Sequence, residues 1–304
     1  MKNGLFSLLL FVLGGFSASA AEVLKVSVFS TVLTEVAQKV GGAQAKVTGH
    51  VPVGADPHEF EPRPSDLKTV AASDMVLVSA KHMEGYVGKL REATGGRVKV
   101  VEVGDQLPSL WLQEEQGGHA GHKHAGGGHG GKIEDPHWWH SIENMRKCVR
   151  ILREEFARLR PEQRSVFEAN ALAYEKELGE LQQWAKGRIA ELPRDRRRLV
   201  TSHEAFQYFA KEFGFTVYYV EGLTESDQPA SRKVADLLKV IQQQRVKAVF
   251  AQDAVNPKVL REITAGTGAK LGGQLWADGL GPKEASTYAG MFRHNVNTVV
   301  EALK

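Results

Sequence analysis

Phe167, Tyr174, Leu178, Leu181 and Ala185 fall on one face of a helix that Pro161 can open and Leu192-Pro193 ends. Some ~30 residues at ~1.5 Å each make a rod of roughly 45 Å. A small domain seldom needs a helix of that length, whereas a strut lying along two domains does. The stretch before it is helical too. Ile142, Met145, Val149, Leu152, Phe156 and Leu159 recur at spacings of three and four, one apolar stripe. With 304 residues in the chain, about 150 per domain predicts one domain on each side of these helices.

Both flanks alternate short apolar runs with helical patterns. In the first, Val23–Phe29, Lys46–Val53, Met75–Ser79 and Arg97–Val103 read as strands. Val32–Val40 reads as a helix ended by Gly41-Gly42, and Ser65-Asp66 can cap a short helix through Ala72. In the second, Leu199–Ser202, Val217–Val220, Val246–Ala251 and Leu271–Trp276 are strands. The helices there are Glu204–Phe213, Ser231–Gln243, Asn256–Gly266 and Ala285–Leu303. Such alternation means βαβ units around mainly parallel sheets. The expected fold class is therefore α/β: two mainly parallel-sheet lobes joined by a long rigid linking helix, with the cleft between them. The expected division is 21–141 for the first lobe, 142–192 for the helices and 193–304 for the second lobe.

Lys2, the apolar run Leu5–Val12 and the small residues Ala18-Ser19-Ala20 read as a cleaved secretory signal peptide over 1–20. That run is too short for a bilayer, which needs roughly 20 apolar residues. No cysteine follows it, which argues against a lipid anchor there. The chain is thus expected in the periplasm. A formal net charge of +3 is no footprint for nucleic acid. The one cysteine, Cys148, cannot form an internal disulfide, and beside the apolar stripe it is expected buried and inert.

Histidine is the unusual component. Of eleven, four (His119, His122, His124, His129) lie in Gly117–Gly131, among eight glycines. That tract cannot build a core and is expected to be a loop that collects metal at low affinity. Ligands in open α/β sheets gather at the carboxyl ends of strands. The metal-capable residues following strands are His58, His137, His203 and Asp278, two from each flank. Three imidazoles and one carboxylate suit tetrahedral Zn2+. His50, His82 and His294 are read as structural. His140, three residues after His137, is read as a residue at the start of the helix, and Gln252 as cleft lining.

These segments resemble the cluster A-I solute-binding proteins that feed zinc or manganese to bacterial ABC importers. The resemblance is carried by Gly54-Ala55-Asp56-Pro57-His58-Glu59-Phe60-Glu61-Pro62 and Asp135-Pro136-His137-Trp138-Trp139. It continues in Thr201-Ser202-His203-Glu204-Ala205-Phe206 and around Arg293-His294-Asn295. It implies two α/β lobes, a long linking helix and a metal held by His58, His137, His203 and Asp278. Manganese carriers of this family are expected to have Glu where this chain has His203, so the resemblance implies zinc. Expected partners are the zinc ion, the membrane permease of an ABC importer and other periplasmic zinc chaperones, with the chain a monomer.

Three other readings compete. One is a manganese or iron carrier of the same family. Another is a free-standing zinc buffer or adhesin. The third is a zinc hydrolase, with Glu59 or Glu204 as base; it lacks a His-Glu-x-x-His pattern and a nucleophile elbow.

Overall fold

The computed structural model describes residues 22–113, 132–220, 231–252 and 258–304. The expected signal peptide and His119, His122, His124 and His129 lie outside these residues.

The first flank folds as β1 (Leu24–Val28), α1 (Thr31–Gly41), β2 (Ala45–Gly49), α2 (Pro64–Ala71), β3 (Met75–Val78), α3 (Val87–Thr94) and β4 (Lys99–Glu102). Its sheet is wholly parallel, in the order β2-β1-β3-β4. Ser30 caps α1, its Oγ accepting from Leu33 N–H at 3.3 Å. Gly42 ends the helix at φ 53°, a conformation that disfavours a side chain. Helix α2 begins at Pro64. It is capped from its third residue, where Asp66 accepts from Arg63 N–H at 2.8 Å. Ser65 is therefore not the cap. Strand β2 ends at Gly49 instead of continuing to Val53, because the chain turns at Pro52, whose carbonyl accepts from Ala55 N–H. That turn delivers His58 to the strand ends.

An antiparallel ribbon follows, β5 (Trp111–Gln113) with β6 (Lys132–Glu134), pairing Gln113 with Lys132. The histidine-rich tract therefore leaves and returns on adjacent strands, an arrangement the sequence reading did not foresee.

Helices α4 (Ile142–Leu159) and α5 (Arg164–Ile189) come next. The strut α5 has 26 residues, or about 39 Å. It falls short of 45 Å because Pro161–Gln163 form a separate 3-10 turn. Its buried residues include Phe167, Tyr174, Leu178, Leu181 and Ala185, the stripe expected. On α4, Ile142, Met145, Val149, Leu152 and Phe156 are buried, and so is Cys148, where burial pushes the thiol well above its ordinary pKa.

The second flank gives β7 (Arg198–Thr201), α6 (Gln207–Phe213), β8 (Thr216–Tyr219), α7 (Ser231–Gln243), β9 (Ala248–Phe250), α8 (Lys258–Thr267), β10 (Lys270–Leu271) and α9 (Tyr288–Leu303). Its parallel sheet has the order β10-β9-β7-β8. Several elements are shorter than expected, β9, β10, α6 and α9 among them. β10 has two residues, with a lone bridge between Gln252 and Leu275 beyond it. α6 starts at Gln207, not Glu204. The His203 carbonyl accepts from the Thr201 hydroxyl and the His203 N–H goes to Gln252, so residues 203–206 form a turn.

Strut α5 packs on α1, α4 and α9. One apolar cluster runs from Leu24, Val28 and Leu33 through Phe156, Phe167 and Leu178 to Phe209, Phe292 and Val299. Sliding one lobe on the other would expose that continuous core, at about 25 cal/mol for each Å² uncovered. Large displacement of one lobe on the other is therefore costly.

Candidate metal site

His58, His137, His203 and Asp278 meet between the lobes, one donor atom of each lying within 4.8 Å of the others. His58 Nε2 is 3.3 Å from His137 Nε2. Asp278 Oδ1 is 3.2 Å from His137 Nε2, 3.3 Å from His203 Nε2 and 3.6 Å from His58 Nε2. A tetrahedron with donors about 2.0–2.1 Å from its centre has edges of about 3.3–3.4 Å. Three of these separations, at 3.2–3.3 Å, lie close to that figure, and the fourth, from Asp278 to His58, is longer at 3.6 Å. All four donor atoms, His203 Nε2 included, stay within 4.8 Å of one another. The side chains of His137 and His203 are wholly buried, and those of His58 and Asp278 are 9% and 4% exposed. Four donors converging in so dry a place can hold one small cation.

Two ligand candidates come from the same local device. Asp56-Pro57-His58 and Asp135-Pro136-His137 repeat one tripeptide. In each, the aspartate Oδ1 accepts from the histidine N–H two residues on, at 2.7 Å and 2.9 Å. This is an Asx turn, and proline fits its middle because no N–H is needed there. Asp135 does more, taking His137 Nδ1–H at 2.9 Å as well. That bond fixes the tautomer and turns the Nε2 lone pair to the centre. Burial opposes a charge on His137, but the Asp135 and Asp278 carboxylates outweigh it and hold its pKa up to about 9. Burial likewise opposes charge on Asp278. The His203, His137 and His58 rings overcome it and hold the carboxyl well below the usual range. Burial raises Asp56.

His203 is placed from behind. Gln252 Oε1 accepts from His203 N–H at 2.7 Å and from Ser202 Oγ at 2.8 Å. Gln252 is wholly buried. It supports the His203 turn from beneath and does not line the cleft as expected. Asp278 is held through its neighbour, the Ala277 carbonyl, which accepts from Trp139 Nε1 and His140 Nε2, each at 2.8 Å. His140 is thus a buried donor beside the cluster. Burial first, then the nearby His137, lowers its pKa to about 3. Among the other histidines, His50 sits between Asp66 and Ser27 and stacks on Phe29, and His294 donates to the Gln274 carbonyl. Asp135, Gln252 and Trp139 were given no such roles from sequence. The Asp-Pro-His repeat was the available signal for the first.

Two parallel-sheet lobes with such a cluster between them define a class, the metal-binding substrate-binding proteins of ABC importers. The chain belongs to the ZnuA family, described as the periplasmic component A of zinc-uptake complexes, which matches residues 26–302. It is 33% identical to the manganese-binding lipoprotein MntA of Bacillus subtilis (strain 168) over 100% of both chains. It is 27% identical to the zinc-binding protein TroA of Treponema pallidum (strain Nichols), over 89% of this chain and 86% of that one. The solved structure of the periplasmic TroA of Treponema pallidum superposes with a TM-score of 0.79 at 24% identity, covering 93% of this chain and 99% of that one. This likeness confirms the α/β two-lobed fold expected from sequence.

Proposed function

We propose that this chain captures zinc outside the cytoplasm and delivers it to the permease of an ABC importer. The observation that carries the reading is the donor set, three imidazole nitrogens and one carboxylate oxygen gathered within 4.8 Å of one another, the carboxylate oxygen 3.2–3.6 Å from each imidazole Nε2. Imidazole suits zinc, whereas carboxylate-rich sites suit manganese. The MntA relatives, named for manganese, support the second reading, a manganese carrier. Four protein donors fill a tetrahedral shell and leave no position for a substrate water, which supports capture over hydrolysis. The relatives MntA and PsaA are named lipoproteins. Here no described helix is long and apolar enough to cross a membrane, and we read residues 1–20 as a cleaved export signal.

The test is a competition titration of the metal-stripped mature chain with zinc and, in parallel, manganese, repeated without Gly117–Gly131. One tight zinc equivalent that survives the deletion, with manganese far weaker, is the expected result. Equal affinities would overturn zinc in favour of manganese. Loss of tight binding with the tract would overturn the cleft assignment.

Proton competition should be visible in the same assay. A ligand must be deprotonated to bind. With a pKa near 9, His137 carries a proton at pH 7 in the metal-free chain. Zinc affinity should therefore fall as pH drops below about 9, by up to tenfold per unit. Calorimetry in buffers of different ionisation heat should count about one proton released at pH 7.5. Zero release would mean that His137 is already neutral before metal arrives.

A further inference from the structure

Helix α1 belongs with the first sheet, yet two of its side chains grip the segment that carries Asp278. Thr31 Oγ1 accepts from Leu280 N–H at 2.9 Å. One turn on, along the same face of α1, Glu35 accepts from Tyr288 N–H in the first turn of α9 and from Tyr174 Oη on α5. A carboxylate is favourable at a helix N-terminus, where backbone N–H groups lack partners. The fit at Thr31 is close. A Cβ added to Gly279 would stand 2.5 Å from Thr31 Oγ1, nearer than carbon and oxygen can approach without a shift. Gly279 therefore permits the segment to lie against α1 immediately after Asp278. Ser30, Thr31, Asp278 and Leu280 also line one cavity of about 60 Å³ with the Gly54–Pro57 turn that leads to His58.

We propose that Thr31 is a positioning residue of Asp278, holding its segment from the side opposite in sequence to the Ala277 carbonyl. It does not touch the ion. Its hydroxyl fixes the Leu280 amide, two residues beyond Asp278, and so sets the carboxylate 3.2–3.6 Å from three imidazole nitrogens. The inference rests on the zinc reading of the cluster. Leu280 is buried, so its N–H has poor access to water if the acceptor is removed, and the segment must shift to satisfy it. Residues that orient ligands from outside the shell change metal affinity by about 10–100-fold. Thr31 lies more than two hundred residues before Asp278 in the chain, and the contact is made across the lobes.

The experiment uses the full mature chain with zinc alone, compared as wild type, Thr31→Val, Thr31→Ser and Gly279→Ala. Valine keeps the shape and removes the acceptor. Thr31→Val should raise the zinc Kd about tenfold and speed dissociation, and Thr31→Ser should restore both. Substituted cobalt(II) should show altered visible bands in Thr31→Val and wild-type bands in Thr31→Ser, which a general loss of stability would not produce. Gly279→Ala separates the two surfaces without altering either side chain and should weaken zinc similarly. It decides the matter if Thr31→Val does not fold. Wild-type zinc affinity in folded Thr31→Val, no rescue by serine, or wild-type affinity in Gly279→Ala would each overturn the role of Thr31. Absence of tight zinc in the wild-type chain would instead sink the zinc reading, and this inference with it.

Discussion

Replacing His203 with glutamate should lower zinc affinity by about 10²–10³-fold and raise manganese affinity above that of the wild-type chain. The zinc figure follows from sharing an apparent binding free energy of about 10–16 kcal/mol among four ligands, or roughly 2.5–4 kcal/mol for each. The direction follows from ligand softness, since a second carboxylate converts a nitrogen-rich shell toward one that suits manganese. His203 is the informative position for two reasons. Its ring is wholly buried and faces Asp278 Oδ1 at 3.3 Å. Its backbone is held by Gln252, so a new side chain starts from the same place. Two carboxylates that close repel one another without a cation, so the metal-free variant should also melt at a lower temperature. Parallel zinc and manganese titrations of the stripped proteins measure the effect. An unchanged zinc-to-manganese ratio would show that His203 does not set selectivity. Unchanged zinc affinity in His203→Ala would remove it from the shell altogether.

What the sequence discloses here depends on whether the cause is local. The stripes of α4 and α5 are legible because an apolar face repeats with the helix itself. The parallel sheets are legible because buried strands are short apolar runs between helices. His58, His137, His203 and Asp278 could be picked out because each follows a strand, and strand ends of parallel sheets share one edge. The ribbon of β5 and β6 was not legible. Three-residue strands carry too little pattern, and a glycine-rich tract separates them. The shortened start of α6 was also hidden, because its cause is Gln252, some fifty residues away. The same holds for Thr31, Trp139 and His140. Their roles arise from contacts with the segment around Asp278, and no periodicity near them announces such a partner. Asp135 lies between these cases. Its Asx turn is local and was readable from the repeated tripeptide, whereas its hold on the buried His137 ring appears only in three dimensions.

Asp278→Ala should be the most damaging single change for metal binding, lowering zinc affinity by at least about 10²–10³-fold. Asp278 supplies the one anionic donor of the cluster, and its Oδ1 lies within 3.6 Å of all three imidazole nitrogens. Removing it deletes a ligand and leaves a dication with three neutral donors in a place that excludes water, where uncompensated charge is costly. The metal-free protein should respond in the opposite sense on one count. Asp278 is among the groups that hold the His137 pKa up, so without it that ring should lose its proton at a lower pH. Part of the proton release on zinc binding at pH 7.5 should therefore vanish in Asp278→Ala, even at zinc concentrations high enough to load the site. The same variant separates capture from hydrolysis. A hydrolase built on three histidines would keep its zinc, because its fourth position belongs to water. Wild-type zinc affinity in Asp278→Ala would therefore overturn the four-ligand capture site and reopen the cleft to chemistry, with Glu59 and Glu204 the bases to test next.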